Sequence, residues 1–133
     1  MARLIVDGMN VIGSRPTGWW RDRPGAARAL LGRLQTLAAL EAVSADELVL
    51  VLDGRPLPDV PEGRHDGVQV LYARRGGRDA ADDRIVEEVA AGSDAGSDLV
   101  VTSDRELRRR VVELGAGVEG ASALLGRLDA VEG

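Results

Sequence analysis

The sequence predicts an α/β fold in which a mainly parallel central sheet is flanked by helices. Three short apolar runs, at residues 3–7, 47–53 and 99–104, each end on or just before an aspartate. Between and after these runs, apolar residues recur at the spacing of helices that bury one face. Buried strands that alternate with such helices are typical of an α/β domain, and 133 residues can enclose a hydrophobic core. We therefore expect a single domain over residues 1–133.

The first half of the chain is expected to contain two strands and one long helix. Residues 3–7 are predicted to form a buried strand, and the Gly- and Pro-punctuated residues 8–23 a loop. Pro24 suits the first turn of a helix, which leucines at helical spacing extend to about residue 43. Residues 47–53 have the near-continuous apolar character of a strand covered on both faces, which favours a parallel sheet.

The second half is expected to alternate strands with helices after a polar, proline-rich loop at residues 54–66. The predicted strands lie at residues 68–73, within residues 97–104 and near Val118. The predicted helices lie at about residues 80–91, 104–114 and 121–129. We find no internal repeat and no linker in the sequence.

The composition excludes several classes of protein. Cysteine is absent, which excludes a disulfide framework and a thiolate metal site. All 17 residues in the Lys+Arg count are arginine, which excludes the Walker A phosphate loop and other lysine-dependent mechanisms. No apolar run resembles a signal peptide or approaches the ~20 residues of a membrane span, so we expect a cytoplasmic domain. A net charge of −5 disfavours purely electrostatic binding of nucleic acid.

The aspartates at the strand ends form the most informative pattern. Ligands of parallel sheets bind at the carboxyl ends of the strands, so Asp7, Asp53 and Asp104 are expected to converge there. Neighbouring carboxylates raise one another's pKa unless a cation lies between them. Mg²⁺ prefers oxygen ligands, and two such ions roughly 4 Å apart could activate water and stabilise the leaving oxygen of a phosphodiester.

A further acidic group is predicted at the start of the helix near residue 80. Asp79, Asp82 and Asp83 are spaced i, i+3, i+4 and therefore share one helix face. Aspartates also have ordinary structural roles, as in Asp-Gly turns, at helix N-caps and in first turns. Residues 103–106 likewise match a capping box with Ser103 as the cap. We favour a metal site because capping does not require acids to meet at one edge of a sheet.

Four motifs resemble those of the NYN domains of the PIN-like nuclease superfamily, particularly its YacP-like branch. They are LIVDGMNVIG, LVLVLDG, AADDRIVEE and VVTSDRELRRR, in that order. The resemblance implies a PIN-like α/β fold and an endoribonuclease dependent on Mg²⁺ or Mn²⁺ that leaves 5′-phosphate and 3′-hydroxyl ends. It implies catalytic roles for Asp7, Asn10, Asp82 and Asp104, with Thr102 and Ser103 as supporting residues. The metal ligands that it implies are Asp7, Asp53, Asp82, Asp83 and Asp104.

Arginines near the acidic motifs are candidates for holding RNA, because an acidic chain must gather positive charge locally. The residues proposed to contact the substrate are Arg15, Arg21, Arg75, Arg78, Ser103 and Arg105. The alternative is a solvated surface that balances 22 acidic residues, and we prefer this explanation for residues 108–110. A homodimer or a protein partner that supplies more basic surface stays open.

The aromatic residues and the single histidine are less informative. Trp19 and Trp20 lie in the first loop, where they could stack on bases, pack the loop or form a dimer contact. His65 is expected to be a lone exposed histidine rather than a general base. No cysteine nucleophile and no plausible Ser-His-Asp set exist, so an enzymatic function would depend on metal chemistry. The alternatives are a non-catalytic RNA-binding or scaffolding domain and a metal-dependent phosphatase.

Overall fold

A computed structural model of the protein describes residues 3–40, 47–74, 76–77, 80–92 and 94–132. Its strands are β1 (Arg3–Asp7), β2 (Glu47–Leu52), β3 (Gly63–His65), β4 (Val68–Tyr72), β5 (Asp98–Val101) and β6 (Gly117–Glu119). Its helices are α1 (Gly8–Gly13), α2 (Arg23–Ala39), α3 (Ala80–Ala91), α4 (Arg105–Glu113) and α5 (Ala121–Glu132). Short 3₁₀ turns lie at Trp19–Arg21 and Ala95–Ser97.

The strands form one sheet in the order β3-β4-β2-β1-β5-β6, which is parallel except for the edge strand β3. The expected α/β fold with a mainly parallel sheet is confirmed. Strand β1 lies between β2 and β5, with Val6 opposite Leu50 on one side and Val101 on the other. The three strands that carry the aspartate motifs are therefore neighbours, and their carboxyl ends lie side by side.

Both faces of the sheet are covered, because successive side chains of a strand point to opposite faces. Leu4 and Val6 of β1 pack in the core shared with α1, α2 and α5. Ile5 packs on the opposite face, in the core shared with α3 and α4. This two-sided burial explains the near-continuous apolar runs of β1 and β2. None of the helices in the described part combines the length and apolar character needed to cross a membrane.

The predicted loop at residues 8–23 is wrong at its start, because α1 follows β1 without a break. A Cβ on Gly8 would lie 2.8 Å from Leu52 Cδ2 and 2.9 Å from the Val51 carbonyl oxygen. Glycine is therefore needed here for the close approach of α1 to β2, and the Asp-Gly pair at residues 7–8 is not a turn. The pair at residues 53–54 does suit a turn, because Gly54 has a φ of +77°.

Other boundaries also differ from the sequence-based expectations. β3 lies inside the predicted loop at residues 54–66, where three residues are too few to show a clear alternation. Helix α2 ends at Ala39, and residues 41–43 of the predicted helix lie outside the described ranges. It begins one residue before Pro24 because the Asp22 side chain caps it, accepting a hydrogen bond from the Gly25 amide at 3.0 Å.

Candidate active site

Asp7 is the buried carboxylate at the carboxyl end of β1. It is 5% exposed and pairs in register with Val51 of β2. On the other side, the fully buried Thr102 follows Val101 of β5 and donates a hydrogen bond from Oγ1 to Asp7 Oδ2 at 2.8 Å. The tertiary fold therefore removes the Asp7 carboxylate from water and orients it through a hydroxyl from the neighbouring strand.

Burial raises the pKa of Asp7 from 3.8 to about 6, since the charged form loses its hydration. The Thr102 hydroxyl and the backbone amide of Asn10 both lower the pKa of Asp7 and so oppose this shift. Asp7 is the N-cap residue of α1, but its side chain forms no capping hydrogen bond with that helix. The charges of Asp104 and Asp53 raise the pKa further. These three carboxylates, which we call the acidic edge, therefore interact electrostatically. None of them forms an ion pair with another described residue.

Asp104 follows β5 and is the N-cap of α4. Its Oδ1 accepts a hydrogen bond from the Leu107 amide at 3.0 Å, while its own amide donates to Thr102 Oγ1 at 3.1 Å. The Thr102 hydroxyl thus connects Asp7 with the backbone of Asp104. The capping box with Ser103 as the cap is wrong, because the Ser103 hydroxyl accepts instead from the amide of Ala121, the first residue of α5.

Asn10 connects α1 to the loop between β5 and α4. Its Oδ1 accepts a hydrogen bond from the Ser103 amide at 2.8 Å, across 93 residues of chain. The side-chain NH₂ group donates no hydrogen bond to the described residues. Asn10 therefore fixes the segment that carries Asp104 relative to the helix that follows Asp7.

Helix α3 carries a second group of acidic residues. Asp82 and Asp83 lie in the first turn of α3, and Asp83 accepts a hydrogen bond from Arg110 at 3.1 Å. Asp79 lies outside the described residues. Among the residues that the structure describes, no three carboxylate or imidazole groups gather closely enough to form a ready metal site. The carboxylates of the acidic edge therefore influence one another electrostatically but do not form a complete coordination shell. A metal ion bound there would need water molecules as additional ligands.

The sequence analysis did not identify a buried arginine on α3. Arg84 is 6% exposed, and its Nη1 donates to Glu62 at 3.0 Å and to the Tyr72 carbonyl oxygen at 2.9 Å. These bonds fasten the start of α3 to the carboxyl end of β4. The available signal was its position beside Ile85, on the apolar face of α3. Its buried Nε has no hydrogen-bond partner among the described residues.

The arginines proposed to contact substrate are dispersed. Arg15 forms two hydrogen bonds with Asp129 of α5, whereas Arg105 is exposed at the start of α4. Arg21 lies over the ring of Trp20, which is 53% exposed and packs edge-on against Trp19. The remaining two, Arg75 and Arg78, lie outside the described ranges.

Comparison with known proteins identifies the class. The sheet order, the parallel neighbours and the carboxylates at adjacent strand ends define an α/β domain with an acidic site at its carboxyl edge. The family model described as "YacP-like NYN domain" matches residues 4–133 of the sequence. The chain belongs to the YacP-like NYN domain family, within the PIN-like nucleases.

Solved structures agree with this assignment at the level of the fold. Two crystal structures of Rae1 (YacP) from Bacillus subtilis superpose on this chain. The TM-score is 0.76 for the W164L mutant and 0.73 for the other structure. Both are 22% identical to this chain and are matched over 99% of it, which corresponds to 76% and 77% of their own chains. At this identity the likeness concerns the fold alone.

Curated relatives match a shorter segment. UPF0178 proteins from three strains of Xanthomonas oryzae pv. oryzae are 58% identical over 45 residues. The matched segment spans 34% of this chain but only 25% of the length of each of those proteins.

Proposed function

We propose that this protein is a metal-dependent endoribonuclease that hydrolyses RNA phosphodiester bonds at the acidic edge. The observation that carries the proposal is the buried Asp7 carboxylate, whose pKa is raised to about 6 and which has no cationic partner among the described residues. A buried carboxylate is costly unless a cation compensates it, and none of the described residues supplies one to Asp7. Membership of a PIN-like nuclease family supports the same conclusion.

The donor set suits Mg²⁺ or Mn²⁺. Hard divalent ions prefer carboxylate oxygens, and Mg²⁺ usually takes only one or two protein carboxylates and keeps several waters. Asp7 and Asp104 would hold the ion together with Asp53, and the α3 pair Asp82 and Asp83 would add negative charge. When bound, a divalent ion would supply Lewis-acid activation of water and stabilise charge on the phosphate.

The residues around the acidic edge would position these carboxylates and the RNA. Thr102 holds Asp7 in one orientation, and Asn10 holds the segment that carries Asp104. Arg105, exposed at the start of α4, would contact a phosphate of the strand. In the reaction, water adds to phosphorus, the 3′ oxygen leaves with a proton, and the products carry 5′-phosphate and 3′-hydroxyl ends.

The direct test is cleavage of end-labelled RNA by the purified protein in Mg²⁺, Mn²⁺ or EDTA. Asp7→Asn and Asp104→Asn should each lower cleavage by at least about 100-fold, because each removes a carboxylate that would hold the divalent ion, and the ion stabilises the negative charge of the transition state. Glu113→Gln is the matched control, since it removes an exposed carboxylate paired with Arg109 at the far end of α4. Equal activity of all three variants would reject the site.

A nuclease-derived RNA-binding domain without catalysis is the second candidate. It is favoured by the finding that no three potential metal-binding side chains gather among the described residues. Such a domain would bind RNA equally well in EDTA and after Asp82→Asn, and it would leave end-labelled RNA intact in every metal. Metal-dependent cutting that is lost in Asp7→Asn would exclude it.

A further inference from the structure

A cleft of about 520 Å³ opens beside the acidic edge, between the start of α2 and the loop that follows β2. Asp53 belongs to both places, since it lines the cleft and its charge raises the pKa of Asp7. Met9 of α1 lines the cleft directly before Asn10 in the chain. A ligand in this cleft would therefore lie next to the acidic edge. We call it the Arg23–Arg55 cleft, after the two arginines in its wall.

The wall of the cleft combines an apolar surface with two guanidinium groups. Arg23 and Arg55 are both exposed, and neither forms an ion pair with another described residue. Two other arginines of α2, Arg28 and Arg33, are instead held by carboxylates. Arg23 lies over the Trp19 ring, 5.2 Å from its centroid, which orients the guanidinium and leaves its N–H groups to donate. The apolar wall is formed by Pro24, Ala27, Leu52, Pro56, Leu57 and Pro58.

The loop that forms one side of the cleft is held in place by specific bonds. The Tyr72 hydroxyl donates to the Val60 carbonyl oxygen at 2.6 Å and accepts from the Leu57 amide at 3.3 Å. An ion pair of 2.8 Å between Arg28 and Asp59 ties the same loop to α2. The cleft is therefore largely formed before any ligand arrives, which lowers the entropic cost of binding.

We propose that the Arg23–Arg55 cleft binds one unpaired nucleotide of the RNA strand next to the scissile phosphate. The base lies against the apolar wall, and the adjoining phosphates contact the two guanidinium groups. The proposal rests on the nuclease function, since it places the strand across the acidic edge. Charge complementarity favours a polyanion as the occupant, and continuity with Asp53 favours the same strand that is cut.

The size of the cleft agrees with this occupant. A volume of about 520 Å³ lies within the range of roughly 300–1,000 Å³ that is common for sites of small organic ligands, so a nucleotide fits. A base inside the cleft cannot pair with a second strand. Selection for single-stranded RNA follows from the cleft itself, without hydrogen bonds that read the sequence.

The test measures binding without cleavage. The affinity of the full chain for a fluorescent six-nucleotide RNA is followed by anisotropy in EDTA, with an abasic residue placed at each position in turn. One position should weaken binding about tenfold when its base is missing, the size expected for one bound base, while the others change little. Arg23→Gln and Arg55→Gln should each weaken binding about three- to tenfold and lower the salt dependence.

Arg64→Gln is the matched control, because Arg64 is exposed on the edge strand β3 and its loss changes the net charge equally. It should leave the affinity unchanged. A 4-thiouridine at the sensitive position should cross-link to the peptide that contains Met9 or to residues 52–58, as mapped by mass spectrometry. This readout locates the base without any substitution in the protein.

The outcomes separate this proposal from the nuclease function. The proposed nucleotide site would be overturned if abasic residues at all positions weakened binding equally. It would also be overturned if Arg55→Gln and Arg64→Gln lost the same RNA affinity, even if the protein cuts RNA. Base-specific binding with cross-links in the cleft, but no cutting in any metal, would support the cleft and reject the nuclease. Uridine monophosphate that binds as tightly as the six-nucleotide RNA would show a mononucleotide pocket and overturn the strand model.

Discussion

The two ends of β1 each border a buried carboxylate, and the fold treats the two charges differently. At the amino end, Asp98 is 3% exposed and accepts two hydrogen bonds from Arg3, both at 2.9 Å. At the carboxyl end, Asp7 is 5% exposed and accepts a hydroxyl from Thr102, but no guanidinium in the described part of the chain contacts it. The Asp98 charge is paired with a guanidinium, whereas the Asp7 charge has no cationic partner among the described residues.

The amino end shows what a structural buried charge looks like in this protein. Arg3 also donates to the Glu88 carbonyl oxygen at 3.0 Å and lies 3.3 Å from the Glu88 carboxylate. Its guanidinium thereby joins β1 and β5 to the last turns of α3, and its pKa is raised chiefly by the hydrogen bond to Asp98. The difference teaches that two carboxylates of nearly equal burial can differ in whether a cation of the described residues compensates them. The absence of such a cation at Asp7 is what supports the role proposed for it.

Removing the cation at the amino end should have the largest effect on stability. Arg3→Met leaves the Asp98 carboxylate buried and unpaired, so we expect a loss of about 3–5 kcal/mol in the free energy of unfolding. Urea denaturation at neutral pH measures it. The control is Arg33→Met, which breaks partly exposed pairs with Asp129 and Glu132 and should lower stability by less than about 1 kcal/mol for each pair. Equal losses of unfolding free energy in the two variants would show that the buried ion pair contributes no more to stability than the surface pairs.

Removing the Asp7 charge at the carboxyl end of β1 should raise the free energy of unfolding, whereas removing Arg3 lowers it. The folded-state pKa of Asp7 is raised from 3.8 to about 6, so the metal-free folded state binds more protons than the unfolded chain between these values. Stability therefore falls as pH rises through this window, by about 3 kcal/mol for this group. Asp7→Asn should make the EDTA-treated protein more stable than wild type above about pH 6.

The stability difference between Asp7→Asn and wild type should shrink as the pH falls and vanish below about pH 4, where the carboxyl is protonated in both states. Urea denaturation in EDTA across this pH range measures it. A variant less stable than wild type at every pH would show that the Asp7 charge is compensated by groups in the protein.

A divalent cation should stabilise the carboxyl end of β1 selectively. A ligand that binds only the folded state at 100 times its Kd adds about 2.7 kcal/mol of stability. Saturating Mg²⁺ or Mn²⁺ should therefore raise the unfolding midpoint of wild type and leave that of Asp7→Asn nearly unchanged. Thermal denaturation with and without metal measures the effect. Equal shifts in both proteins would place the bound metal elsewhere.

Loss of the Thr102 hydroxyl should have the smallest of these effects. Thr102→Val removes the hydrogen bonds to Asp7 and from the Asp104 amide, at an expected loss of about 1–3 kcal/mol. It should also raise the pKa of Asp7 above about 6, because one group that favours the ionised form is gone. NMR titration of the carboxyl carbon measures this pKa, and Thr102→Ser, which retains a hydroxyl, should restore it.

Much of the fold was visible in the sequence because strand burial and helix periodicity are local patterns. The runs at β1, β2 and β5 were predicted as buried strands, and the motif order led to the YacP-like NYN family. Helix α1 was missed because its six residues include two glycines and follow a strand directly. The short β3 was missed because it is an edge strand of three residues.

Residue types and spacing therefore defined the alternation of strands and helices and placed an aspartate at the end of each motif strand. Only the tertiary structure decided which of these aspartates is desolvated. Asp7 is buried because β2 and β5 flank β1, whereas Asp53 is exposed beyond the end of β2. The bond from Ser103 to Asn10 joins residues 93 apart, and the burial of Arg84 depends on Glu62 and Tyr72. Desolvation and pairing of charges are set by neighbours distant in the chain, which no local pattern encodes.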